Sequence, residues 1–158
     1  MAYEPLPGDY GVVKTNGFFG WLIRLGTTSR WNHAVIYIGN GEIIEANPHG
    51  VEINKLDRHE HIAWNQHEGL TNQQRIKIVK AAYSAVGEPY DFWTIADIAL
   101  RILGLKLLTV WLLEKLARNK GYICSELVAE CYRKAKLPLA HADYLCTPGD
   151  LAERLIWQ

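Results

Sequence analysis

The stretch NHAVIYIGNGEIIEANP, residues 32–48, constrains the fold more than any other. Two runs rich in Val, Ile and Tyr meet at Gly39-Asn40-Gly41. β-branched runs joined by a glycine-bracketed Asn read as an antiparallel hairpin. One layer of the molecule is therefore a small antiparallel sheet. GDYGVVKT (8–15) reads as an earlier strand after a Pro-Gly turn, GVEINKL (50–56) as a third run, and Ile62 to Trp64 as a short further one.

Helices supply the other layer. In TNQQRIKIVKAAYSAVG, Thr71 and Gln74 form a capping-box pair. Ile76, Val79, Ala82, Tyr83 and Val86 follow at helical spacing, and Gly87 stops the run. GYICSELVAECYRKAK (121–136) opens a second helix that ends before Pro138, and a last one starts with Thr147 as cap and Pro148 in its first position. Residues 17–30 read as a short apolar helix or loop. Residues 95–117 are dense in Leu, Ile and Trp, but Asp97, Arg101, Lys106, Glu114 and Lys115 interrupt them. A spanning helix wants about 20 mostly uncharged residues, so a helical pair covering the core or an apolar substrate is expected, with peripheral membrane contact at most. The sum is an α+β fold in one domain, 1–158, with 92–118 as a helical insertion.

Seventeen basic residues balance seventeen acidic ones, with no basic stripe, which speaks against a nucleic-acid partner. Three cysteines without repeated spacing argue against a disulfide framework and a zinc knuckle. The opening MAYEPLPGDYGVV has no basic region leading into an apolar run, so a cytoplasmic location is expected, a phage or host-exported origin remaining open.

Cys124 sits where the second helix begins. Free cysteine titrates near 8.5, and unpaired amides at a helix N-terminus or a neighbouring imidazole lower that value. Burial as a small apolar residue is the competing reading. A nucleophile needs a base, and His33 starts a strand otherwise built from Val, Ile and Tyr. Glu45, between Ile44 and Ala46 on the next strand, is a carboxylate that needs a partner. Register decides whether the two meet. A two-residue turn at Asn40-Gly41 puts Gly39 opposite Glu42 and His33 opposite Pro48, with Glu45 on the other face. A three-residue loop puts Ile38 opposite Glu42 and His33 opposite Asn47, so that Glu45 lies diagonally beside His33. We expect the three-residue loop, because two glycines suit its left-handed conformation.

YICSELVAECYRKAKLPL resembles the cysteine helix of NlpC-type cell-wall peptidases, with its Cys-Ser pair, Leu-Val stripe and Leu-Pro end. The histidine strand precedes that helix here, an order similar to the circularly permuted papain-like branch of YiiX-like proteins and the lecithin:retinol acyltransferase family. LPGDYGVV, the hairpin with its final Pro, VGEPYDF and CTPGDLA resemble corresponding segments of these families, so the likeness covers most of the chain outside 92–118. It places Glu45 where the acyltransferases carry a second His, and it gives Tyr90 an assisting role, although a buried Tyr with a bonded hydroxyl accounts for that residue equally well. Ile123 stands where NlpC-type peptidases have Asp, and Glu126 where they have Gly. These departures beside the nucleophile speak against direct cleavage of murein peptides.

The resemblance implies a cysteine hydrolase of peptide, isopeptide or acyl-amide bonds: Cys124 attacks, His33 moves the proton, Glu45 orients His33, and the Cys124 amide helps to hold the oxyanion. The expected partner is an amide- or acyl-containing substrate, a peptide or a lipid, and no cofactor is required. The alternative is a lipid acyltransferase or phospholipase using the same Cys/His site; a binding module with a relic site is a third reading. His59 and His61, with His67 nearby, offer metal-binding groups without a convincingly spaced third ligand, so no metal site is expected. Cys131, on the same side of the helix as Cys124, is expected in the core, and nothing nominates Cys146.

Overall fold

The computed structural model describes residues 3–16, 29–66, 69–92, 104, 121–139 and 146–156. Five strands form one sheet: β1 (Tyr10–Val13), β2 (His33–Gly39), β3 (Glu42–Asn47), β4 (Gly50–Lys55) and β5 (Ile62–Trp64). Their order is β4-β3-β2-β1-β5, and every pairing is antiparallel. A 3-10 turn at Leu56–Arg58, not foreseen from the sequence, links β4 towards β5. Among the described residues three helices follow: α1 (Asn72–Ala85), α2 (Cys124–Lys134) and α3 (Pro148–Ile156). The expected elements at 17–30 and 92–118 lie, apart from residues 29, 30, 92 and 104, outside the described residues.

Alternation along the strands sorts their side chains onto two faces. Val12, Ala34, Ile36, Ile44 and Ala46 turn towards the helices and share a core with Cys124, Leu127, Val128 and Cys131 of α2. Val13, Val35 and Ile43 turn the other way into a smaller cluster. Their parity partners His33 and Glu45 therefore belong to this second face.

The hairpin tip corrects the expected loop. Gly39, not Ile38, pairs with Glu42, so the turn proper is Asn40-Gly41, with φ of 54° and 71°. The register then shifts between Tyr37 and Gly39, and beyond the shift Tyr37 pairs with Ile43 and Ile36 with Ile44. The residue absorbed by this bulge restores the register of a three-residue loop along the body of the hairpin. His33 and Glu45 consequently share a face, as expected.

The α1 stripe is a second correction. The capping box of Thr71 and Gln74 is present, but the buried face is Ile78, Ala81, Ala82 and Ala85. Ile76, Tyr83 and Val86 are exposed. Small alanines let α1 approach α2 closely, so the bulkier residues are turned outward.

Polar ties seat α2. The Tyr132 hydroxyl donates to the Gly8 carbonyl at 2.7 Å and accepts from Asn65 Nδ2 at 3.0 Å, while Asn65 Oδ1 accepts from the Tyr10 amide. Asp9, fully buried, pairs with Arg75 of α1 at 2.8 Å. Buried polar groups of this kind are costly when unpaired, and so they fix how the layers meet.

Candidate active site

The GEPY segment ties the sheet to the start of α2. The Glu88 carbonyl accepts from the Val51 amide, and the Gly87 amide donates back to the Val51 carbonyl, each at 2.9 Å. Two residues on, Tyr90 forms a parallel bridge with Tyr122. Gly121 makes a close approach there: a Cβ would lie 3.0 Å from both the Asp91 nitrogen and the Pro89 oxygen, tighter than most side chains accept. Cys124 follows as the first residue of α2, with Ile123 in extended conformation before it. The opening amides of a helix lack intrahelical partners, and their dipoles favour negative charge at this position. Cys124 is 1% exposed.

His33 is the first residue of β2. Asn32 before it is buried, accepting from the Thr15 amide at 2.7 Å and donating to the Thr15 carbonyl at 2.9 Å, which anchors the strand start. Burial disfavours a charged His33 ring. The Cys124 side chain, as charge and as hydrogen-bond partner, and then Glu45 outweigh it, carrying the His33 pKa up to about 10.

Glu45 is 1% exposed and fully engaged. Its Oε2 lies 2.5 Å from His33 Nε2 and 2.8 Å from His59 Nε2. Its Oε1 accepts from Asn54 Nδ2 at 2.9 Å and lies 3.7 Å from Arg58 Nε. Burial would raise its pKa, but the bonds from the two imidazoles hold the carboxyl well below the usual range. An ionised carboxylate only accepts, so both Nε2 atoms carry protons, and His33 is left with Nδ1 for the thiol.

Tyr90 stands beside this group. Burial pushes its hydroxyl pKa up, and the Cys124 charge adds to the shift. Tyr90, His33, Glu45, Asn47, Arg58 and His59 all line one cavity of about 900 Å³. His33, Glu45 and Tyr90 thus share one cavity; Cys124 is not part of its lining, but it lies close enough to act on the His33 and Tyr90 side chains. Cys131 and Cys146 are buried, and burial raises both thiols to about 12.

The family model for permuted papain-like amidases, YaeF/YiiX, family C92, matches residues 15–146. The chain belongs to the C92 family. This C92 member is accordingly an enzyme, a cysteine-dependent hydrolase of amide bonds on a permuted papain-like α+β fold. A solved structure, described as metalloprotein yiiX from Escherichia coli O157:H7, superposes with a TM-score of 0.60 at 21% identity, over 84% of this chain and 67% of that one. Comparison with curated proteins gives no match.

Sequence reasoning missed three partners of Glu45: Asn54, Arg58 and His59, the last noted only as a metal-binding group. Asn54 was legible in principle: β4 pairs Glu52 with Glu45 and Asn54 with Ile43, so Asn54 lies diagonal to Glu45 on its face. Arg58 ends the unforeseen 3-10 turn and His59 follows it; that a buried carboxylate needs more than one donor was the hint of a link to Glu45. The metal-binding groups also fall differently from the expected pair. His33, Glu45 and His59 offer ligand atoms all within 4.8 Å of one another. His61 lines the same cavity without joining that trio, and His67 lies outside the described residues.

Proposed function

We propose that the protein hydrolyses a peptide, isopeptide or acyl-amide bond through a thioester on Cys124. The observation that carries this reading is the His33–Glu45 contact of 2.5 Å beside a cysteine at a helix N-terminus. His33 takes the thiol proton on Nδ1, and the thiolate attacks the amide carbonyl to form a C–S bond. The Cys124 amide and its neighbours in the first turn stabilise the oxyanion. His33 then returns its proton to the leaving nitrogen as the C–N bond breaks. Water, deprotonated by His33, resolves the thioester, releases the acid and restores the thiol. Glu45 keeps the ring oriented and supports its positive charge.

Trapping tests this directly. Brief exposure to cell extract, an acid quench and intact-mass analysis should find an acyl adduct on Cys124 whose mass names the acyl group. A fatty-acyl mass would favour lipid chemistry over peptide cleavage, and absence of any adduct together with full activity of Cys124→Ser would overturn the thioester.

A second reading has its own observation, the convergence of His33, Glu45 and His59, and the E. coli relative is described as a metalloprotein. Two His and a carboxylate form a donor set that suits Zn²⁺ as a Lewis acid. Both Nε2 protons would have to leave, so metal binding and an imidazolium at His33 exclude one another. Activity that survives a strong chelator but not Cys124→Ser favours the thiol reading.

A further inference from the structure

Among the partners of Glu45 is a second imidazole, His59, that no Cys-His-acid triad requires. His59 comes directly after the 3-10 turn, its side chain 9% exposed, and its ring centroid lies 5.5 Å from that of His33 with the planes at 52°. Its Nε2 approaches the same carboxylate oxygen that His33 uses, at 2.8 Å against 2.5 Å. The terminal torsion of a glutamate is broad and roughly two-fold. A carboxylate held by one imidazole alone can rotate its plane at little cost, taking the hydrogen bond off line. With Oε2 shared by two rings and Oε1 held by Asn54, rotation breaks several bonds at once. We infer that His59 is a positioning residue of the hydrolase, pinning Oε2 of Glu45 so that it orients His33. The inference rests on the proposed Cys124–His33–Glu45 reading. His59 acts through Glu45 and has no part in attacking the substrate.

The test uses the full chain as wild type, His59→Ala and His59→Gln, with a chelator throughout so that no metal held by the same trio contributes. Three readouts are taken at matched folded fraction: steady-state kinetics, the pH profile of Cys124 alkylation, and ¹H–¹⁵N NMR of the imidazole protons. Partners that orient a metal-ligating carboxylate are worth about 10–100-fold; by the same orienting logic His59→Ala should lose about that much in kcat with KM little changed. Its alkylation window, bounded by thiolate formation and imidazolium loss, should narrow from both sides. The Gln side-chain amide still donates, so His59→Gln should recover most of the rate and width. A window that stays the same or widens in His59→Ala overturns the inference. Wild-type protein with no fast alkylation window at all would instead bring down the triad reading. In that case the NMR readout still decides: the His33 proton shared with Glu45 should move upfield in His59→Ala and hold in His59→Gln, and an unmoved signal refutes the positioning role.

Discussion

The Nε2 atom of His33 lies 2.5 Å from Oε2 of Glu45, across two strands whose register is set by a single bulge near the hairpin tip. The carboxylate favours the imidazolium at His33. Glu45→Gln keeps the shape and loses the charge, while Glu45→Ala loses both. Both should leave His33 easier to deprotonate, so the alkaline limb of the pH–rate profile moves acidward from a wild-type position well above the ordinary histidine value. The rate should fall in the order Gln, then Ala, then Cys124→Ser. Limbs that stay in place in both variants would show that another group orients His33.

The two thiols of α2 should separate cleanly. Cys124→Ser and His33→Ala should cut turnover by at least about 10²-fold, the low end of what a positioned base supplies. Cys131→Ala, in the core on the same helix, should instead cost about 1 kcal/mol of stability in urea unfolding and leave kcat near wild type. Equal activity losses in all three at matched folded fraction would contradict the assignment.

Glu126 offers a pH test of stability. Its carboxylate accepts from the Ile123 amide at 3.3 Å, but burial raises its pKa, with Asp91 adding to the shift. A raised folded-state value means a contribution fully present below the unfolded pKa and lost as pH rises through the folded one. Glu126→Gln should therefore match wild type near pH 4 and exceed it in stability at pH 7. Urea midpoints at the two pH values check this, and a gain confined to the acidic side would refute it.

Gly121→Ala probes the seat of the nucleophile. The added Cβ meets backbone atoms of Pro89 and Asp91, so the chain before Cys124 must shift. Misplacement of a reacting group by about 1 Å can cost about 10²-fold. A drop in kcat of about 10–100-fold with only a small change in Tm is expected, and Tm and steady-state rates measured together decide it.

The strands, the capping box of α1 and the placement of Cys124 at a helix mouth were legible because each rests on local chemistry: β-branched runs, a Thr–Gln pair and a polar break before a helical stripe. The face shared by His33 and Glu45 was legible through register, although the tip achieves it with a turn and a bulge where a plain loop was expected. What escaped was non-local. Ile76 and Tyr83 fit a helical stripe as well as Ile78 and Ala85 do, and only the close approach of α2 chooses between the two faces. His59 was visible as a polar residue in a polar stretch, but its meaning depends on a carboxylate fourteen positions earlier. No periodicity reports such a contact.

The order of the elements has a consequence for synthesis. The five strands of the described sheet are complete by Trp64, whereas Cys124 arrives only with α2. A hairpin closes in about 1–10 µs, far faster than a ribosome adds residues at about 5–20 per second. The base and its carboxylate can therefore pair on the emerging chain while the nucleophile has yet to be translated. On the proposed reading, the half-built enzyme until then holds its base and carboxylate without its attacking group.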